Sequence, residues 1–359
     1  MDDHSAPTEK DLLLRKSVAI LPWLVGAVSV LVGIILYIVV FPPPSSDSRV
    51  TQSVRTTTAI PSATQLRAGS SAYFLPARFQ LDSVPVGPEG DLIRYGYELI
   101  AHTPRYLGPQ AEQPLLRLAG SDLACQNCHL QAGQKAYAAP YVGIWGIYPT
   151  YKGREDAISS LEDRINGCMT RSLNGHPLPL DGREMKALLT YMKWLSRRVP
   201  VGEKVPGQGF VKFTMPNREA DLSRGQLVFA RRCASCHGAD GQGTKTGATY
   251  LYPPLWGPHS FNDGAGMHRL QTAARFVKAN MPFGATATQP LLSDEEAYDV
   301  AAYFNSMPRP HLTHLDRDYP NRLKKPVDCP YPPYADHFSQ HQHQFGPFAE
   351  MAPRVKSGD

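Results

Sequence analysis

The sequence predicts a mainly α protein in which one transmembrane helix precedes two copies of a small helical domain in tandem. Three observations carry this reading. Val18 to Phe41 is an almost unbroken apolar run, a short cysteine–histidine motif occurs twice, and no stretch sustains the alternation of a β-strand. Of the 359 residues, 42% are hydrophobic and 19% charged, which supplies real cores and excludes a disordered chain. Glycine (29) and proline (33) are frequent for a helical protein, so long irregular segments connect the helices. The net charge of +5 comes without runs of Lys and Arg, and no nucleic-acid partner is expected. Four of the six cysteines sit in the repeated motif, which excludes a disulfide scaffold.

Residues 1–17 read as a cytoplasmic N-terminus and 18–41 as an uncleaved signal anchor. As a helix the anchor spans about 36 Å, enough for a hydrocarbon core of about 30 Å. A cleaved signal has a shorter apolar region, and here Pro42-Pro43-Pro44 follows the run. Lys10, Arg15 and Lys16 precede the anchor more closely than Arg49 and Arg55 follow it. That bias orients a single-pass protein of the inner membrane with its folded region in the periplasm. Residues 42–68, rich in Ser, Thr and Pro, form a flexible linker of about 30 Å.

Beyond the linker the chain repeats itself, with a first domain over 69–205, a second over 206–312 and an extended C-terminal tail over 313–359. Each domain has a helical stretch before its motif, Leu92–Ile100 and Leu222–Ala230. Each also closes on an amphipathic helix opened by a capping box. The first box is Asp181 with Glu184, leading into Leu188, Leu189, Tyr191, Met192 and Leu195. The second is Ser293 with Glu296, leading into Val300, Ala301, Tyr303 and Phe304. The boxes are displaced by 112 residues and the motifs by 108, as two copies of one domain require.

The motifs are Cys125-Gln-Asn-Cys128-His129 and Cys233-Ala-Ser-Cys236-His237. Two thiols at this spacing add to the two vinyl groups of a haem, and the adjacent histidine ligates its iron. A redox dithiol or half a zinc site is the competing reading of CxxC. The immediate histidine, the repetition, the exported context and the matched helices all disfavour it. Two covalently bound haems c follow, and the order helix, motif, long loop, terminal helix is that of a class I cytochrome c. In the second domain Met281, in Ala279-Asn280-Met281-Pro282, is the candidate distal ligand, with Met267 as fallback. The first domain offers Cys168 and Met169. Met169 lies 12 residues before Asp181, as Met281 lies 12 before Ser293, whereas Cys168 would supply a thiolate that lowers the potential. A disulfide between Cys168 and Cys329 is a third possibility.

With these residues in view, the chain resembles the dihaem thiosulfate dehydrogenases, also called tetrathionate reductases, from about 85 to 350. The resemblance lies in Asp122-Leu123 through Leu130, Gly143-Ile-Trp145-Gly146 and Leu161 through Cys168-Met169. It continues through Asn174-Gly175, Pro177-Leu178-Pro179, Tyr191 to Trp194-Leu195, Pro333 to Asp336 and Gly346-Pro347-Phe348. It implies that Cys168 is the distal ligand of the first haem and marks the active site, with Arg154 and Arg164 beside it. Arg171 and Ser172 are further candidates. Guanidinium forks match the sulfonate ends of thiosulfate and tetrathionate, and joining two dianions needs positive charge. The implied reaction couples two thiosulfates into tetrathionate, with a transient bond between a thiosulfate sulfur and that of Cys168. Electrons would pass from the first haem to the second and out to a small cytochrome or a membrane redox partner.

Asn280 departs from the pattern, standing where some members have a lysine that can ligate the second haem. Cys329 and the membrane anchor depart too. His337, His341 and His343 read as part of a surface-wrapping tail rather than a metal site. The competing functions are a membrane-tethered dihaem electron carrier with no substrate of its own, and a sulfur-transfer cytochrome acting on carrier-bound sulfur. A pure carrier has no need of a thiolate ligand beside paired arginines.

Overall fold

The computed structural model describes residues 80–247 and 249–351; the expected anchor and linker lie outside the described residues. Among the described residues no helix is long and apolar enough to cross a membrane. The first domain opens on α1 (Pro88–Ala101) and α2 (Thr103–Leu107). Helix α1 starts ahead of the expected Leu92 because Pro88 suits the first helical position and Glu89 and Asp91 favour its positive end. A hairpin follows, β1 (Thr150–Lys152) antiparallel to β2 (Ala157–Ser159), with Tyr151 opposite Ile158. Helix α3 (Leu161–Arg171) begins at a reciprocal box in which the Asp163 amide donates to Ser160 Oγ and the Ser160 amide to Asp163.

Helix α4 (Arg183–Ser196) differs from expectation at its start, since its cap is Gly182 and no side chain caps it. Glu184, expected to close a box with Asp181, instead accepts a hydrogen bond from Tyr95 Oη of α1 at 3.0 Å. The packing of α4 on α1 has claimed the carboxylate. In the second domain α5 (Leu222–Arg232) precedes β3 (Thr244–Thr246) and β4 (Thr249–Tyr252). Helix α6 (Leu270–Asn280) and α7 (Asp294–Ser306) follow, α7 opening on the box of Ser293 with Glu296. Among the described residues the tail carries a short α-helix, α8 (Gln340–Phe345), after two 3-10 turns. The sequence showed no strand signal because these strands are three or four residues long.

The repeat is visible in one packing detail. A Cβ on Gly96 of α1 would stand 2.2 Å from the Ala187 carbonyl of α4, and one on Gly225 of α5 would stand 2.2 Å from the Asp299 carbonyl of α7. In both domains the first helix crosses the last at a glycine because the two backbones touch there. Ile93, Leu99 and Ile100 meet Met185, Leu188, Tyr191 and Leu195 in the first core. Phe229, Ala273, Val277, Tyr298 and Ala301 make the second. At about 1.5–3 kcal/mol for each large apolar side chain fully buried, each core is substantial.

The domains are knitted together. Phe261 and Ala265 of the second domain belong to the first core, and Asn262 donates to the Thr170 carbonyl (2.9 Å) and to Asn174 Oδ1 (3.1 Å). The connecting segment is pinned to the first domain where Tyr137 and Ala139 amides donate to the Gly207 and Gly209 carbonyls. The tail then crosses both domains. Its Phe345, Phe348 and Met351 enter the second core, while Leu315, Tyr319, Cys329 and Tyr331 form a cluster of their own.

Candidate active site

Three cavities meet around the two motifs. The first, about 310 Å³, is lined by apolar side chains such as Leu99, Ile100, Leu161 and Met192, with Cys125, His129 and Cys168 among them. His129 Nδ1 lies 2.6 Å from the Ala139 carbonyl, and its ring stacks on Tyr141 at 4.5 Å. An Nδ1–H donated to that carbonyl leaves Nε2 with the lone pair that ligates a metal. Cys168 lies within hydrogen-bond reach of the same imidazole. Two thiols, an oriented imidazole and a facing thiol in an apolar cavity fit a haem c held by Cys125, Cys128 and His129.

The second cavity, about 520 Å³, is lined by Cys233, Cys236, His237 and Met281, and it reaches Cys125, Cys128 and His129 of the first domain. Both attachment motifs therefore open on one continuous space. His237 Nδ1 lies 2.8 Å from the Pro253 carbonyl, and burial holds the imidazole below its ordinary value. Met281 caps the C-terminus of α6, which places its thioether in this cavity with His237. The donor set suits a second haem c. Met267, the fallback, lines the same cavity and also packs against the first-domain core. The Asn280 side-chain amide donates to the Tyr137 and Phe276 carbonyls, at 3.1 and 2.9 Å.

The third cavity adjoins Cys168 and is lined by Arg154, Arg164, Arg171 and Ser172, joined by Lys152, Arg269, Thr272 and Lys324. Arg164 and Cys168 are four residues apart on α3, hence on one face, and Arg164 Nη1 donates to Cys168 Sγ at 2.9 Å. Burial alone pushes the Cys168 thiol up; Arg164 and His129 more than reverse this and bring it down to about 6. Arg154 lies in the turn between β1 and β2, with its Nε buried, without a hydrogen-bond partner, and 3.8 Å from Asp318. Arg171 is committed elsewhere, to both carboxylate oxygens of Asp318 at 2.8 and 2.7 Å.

The alternatives left by the sequence separate in position. Met169 is buried in the first core at 1% exposure. The equal spacing to the caps misleads because Cys168 lies inside α3 whereas Met281 follows the end of α6. Cys329 is buried in the tail cluster, its thiol 3.9 Å from the Tyr331 carbonyl, and neither it nor Cys168 is in a disulfide. His337 stacks on Phe338, His341 bonds Glu219, and His343 bonds Asp336 and the Val327 carbonyl. Sequence reasoning missed Asp318, Arg269, Thr272 and the two lysines. No local pattern marks them, because Arg269, Thr272 and the lysines reach the cavity from the second domain, the tail and a three-residue strand, and Asp318 of the tail acts on it through Arg171 and Arg154.

Comparison with known proteins agrees with this geometry. Residues 118–201 match the model of the SoxA/TsdA cytochrome c domain and 222–308 that of cytochrome c. The chain is 39% identical over 249 residues to the thiosulfate dehydrogenase of Stutzerimonas stutzeri, covering 69% of this chain and 77% of that one. It is 44% identical to that of Allochromatium vinosum, over 63% of this chain and 82% of the relative. A solved thiosulfate dehydrogenase (TsdBA) from Marichromatium purpuratum superposes with a TM-score of 0.62 at 36% identity, covering 69% of this chain. This chain spans about half (52%) of that longer one. With a cytochrome c domain on each motif and relatives of this identity and coverage, the chain belongs to the dihaem thiosulfate dehydrogenase family.

Proposed function

We propose that the protein couples two thiosulfates into one tetrathionate with release of two electrons, and runs the reverse reaction when electrons are supplied. The observation that carries this is Cys168, a thiol held by Arg164 at 2.9 Å and facing His129, at the wall of a cavity lined by arginines. Arg164 stabilises the thiolate, and Arg164 with Arg154 offsets the charge of an incoming dianion. The terminal sulfur of thiosulfate forms a bond to Cys168 Sγ with loss of two electrons, leaving a cysteinyl thiosulfonate of charge −1. A second thiosulfate attacks the sulfur bonded to Cys168, expels the thiolate and leaves as tetrathionate. Haem c bound at each motif supplies the one-electron acceptors that this two-electron chemistry needs. His129 with Cys168 would hold the first haem and His237 with Met281 the second, and one cavity lined by both motifs would bring the two groups near each other.

The apolar run 18–41 supports an inner-membrane anchor with the enzyme in the periplasm, where a small cytochrome or a membrane redox partner would take the electrons. Anaerobic mixing of the haem-loaded protein with thiosulfate, with tetrathionate quantified, tests the reading beside Cys168→Gly. The wild type should make tetrathionate, and the variant should take up both haems and make none. If dithionite reduces the haems normally and neither protein reacts in either direction, the thiosulfate reading is wrong.

A further inference from the structure

Tetrathionate carries a sulfonate at each end, with two sulfurs between. A site that clamps only one end leaves the other charge in the same cavity without a partner. On the first-domain side Arg164 is engaged with Cys168, Arg154 adjoins it, and Arg171 is neutralised by Asp318. The second domain contributes further groups to the lining. Arg269 immediately precedes α6 and Thr272 lies in its first turn, and both line the cavity beside Cys168. Arg269 is held rigidly, since its Nε and Nη2 donate to Asp328, which is 1% exposed and also accepts from the Gln271 amide at 3.0 Å. A single carboxylate oxygen takes two of the three guanidinium nitrogens, which leaves Nη1 outside that pair. The side chain is 27% exposed and lines the cavity, and the positive end of α6 adds to its charge.

We propose that Arg269 and Thr272 form a second sulfonate subsite, so that substrate is gripped between the domains, Arg154 and Arg164 on one side and Arg269 with Thr272 on the other. This rests on the reading of thiosulfate and tetrathionate as substrates. The first thiosulfate is placed against Cys168 by the first-domain arginines. The second enters against Arg269, which fixes its sulfonate and leaves its terminal sulfur free to attack. In the reverse direction the same residue holds the distal end of tetrathionate.

The test is calorimetric titration of tetrathionate, and separately of sulfite as a one-ended anion, into the oxidised dihaem protein with no electron donor present. The variants are Arg269→Lys, which keeps a charge for Asp328, and Thr272→Val. Loss of one charge-assisted hydrogen bond should weaken tetrathionate about tenfold in Arg269→Lys and a few-fold in Thr272→Val, with sulfite within about twofold of wild type. The KM for thiosulfate should rise in step while the visible spectrum of the haems stays unchanged. Tetrathionate affinity within twofold of wild type in both variants would overturn the subsite, as would equal weakening of the two anions. A wild type that binds neither anion and makes no tetrathionate would instead refute the substrate reading itself.

Discussion

At the scale of single residues the site depends on one contact, Arg164 Nη1 to Cys168 Sγ. A charge-assisted hydrogen bond of this kind contributes about 1.5–3 kcal/mol when one partner is ionised. Arg164→Gln keeps much of the length of the side chain and removes the charge. It is expected to lower kcat/KM for thiosulfate by about 10- to 100-fold while both haems attach normally, which steady-state kinetics beside a pyridine haemochrome assay will show. Arg154→Gln acts from the hairpin turn without touching the sulfur, so its loss should fall mainly on KM. Equal loss of kcat in the two variants would count against this division of labour. The chemistry of Cys168 was legible in the sequence as a choice between neighbours, and only the helix could decide which of the two faces His129. Cys168 and Met169 are about 100° apart on α3, so one meets the cavity and the other the core.

Elements carry a different set of forces, those of caps and crossings. Ser293 and Glu296 close α7 reciprocally, and Ser293→Ala should cost about 1 kcal/mol. Asp181, which has the same spacing to Glu184, caps nothing, and Asp181→Ala should leave the thermal midpoint within about 1 °C. A paired melt of the two variants separates the true box from the apparent one. The glycine crossings give the stronger effect. Gly96→Ala or Gly225→Ala must push apart backbones already in contact, at about 1–3 kcal/mol each, read as a lower midpoint in urea with unchanged slope. These elements were legible because long amphipathic helices announce themselves by period, and the box at Ser293 by its spacing. The start of α4 was not, because a capping box is a local pattern and the pull of Tyr95 on Glu184 comes from a helix 89 residues away. The hairpins β1–β2 and β3–β4 escaped for the same reason: strands this short are held by their surroundings more than by their own residues.

Over the whole molecule the tail decides how the domains are held, and nothing in its proline-rich sequence says so. Asp318 is 7% exposed and takes both Arg171 nitrogens, accepts Tyr331 Oη at 2.7 Å, and lies 3.8 Å from Arg154. Asp328 does the same for Arg269 at the start of α6. The tail thus fastens, from outside, the two arginine-bearing walls between which Cys168 works, while Phe345, Phe348 and Met351 anchor its far end in the second core. Removing one partner of a buried pair leaves the other charge uncompensated, at about 3–5 kcal/mol. Asp318→Asn should therefore lower unfolding stability by that order. Its effect on amide exchange should be local, with faster exchange at the end of α3 and in the β1–β2 turn and little change in α5 and α7. Phe348→Ala, at a similar 3–5 kcal/mol, should do the reverse and loosen α7 while leaving α3 protected. If Asp318→Asn instead speeds exchange evenly through both domains, the tail is part of one cooperative core rather than a clasp on the site.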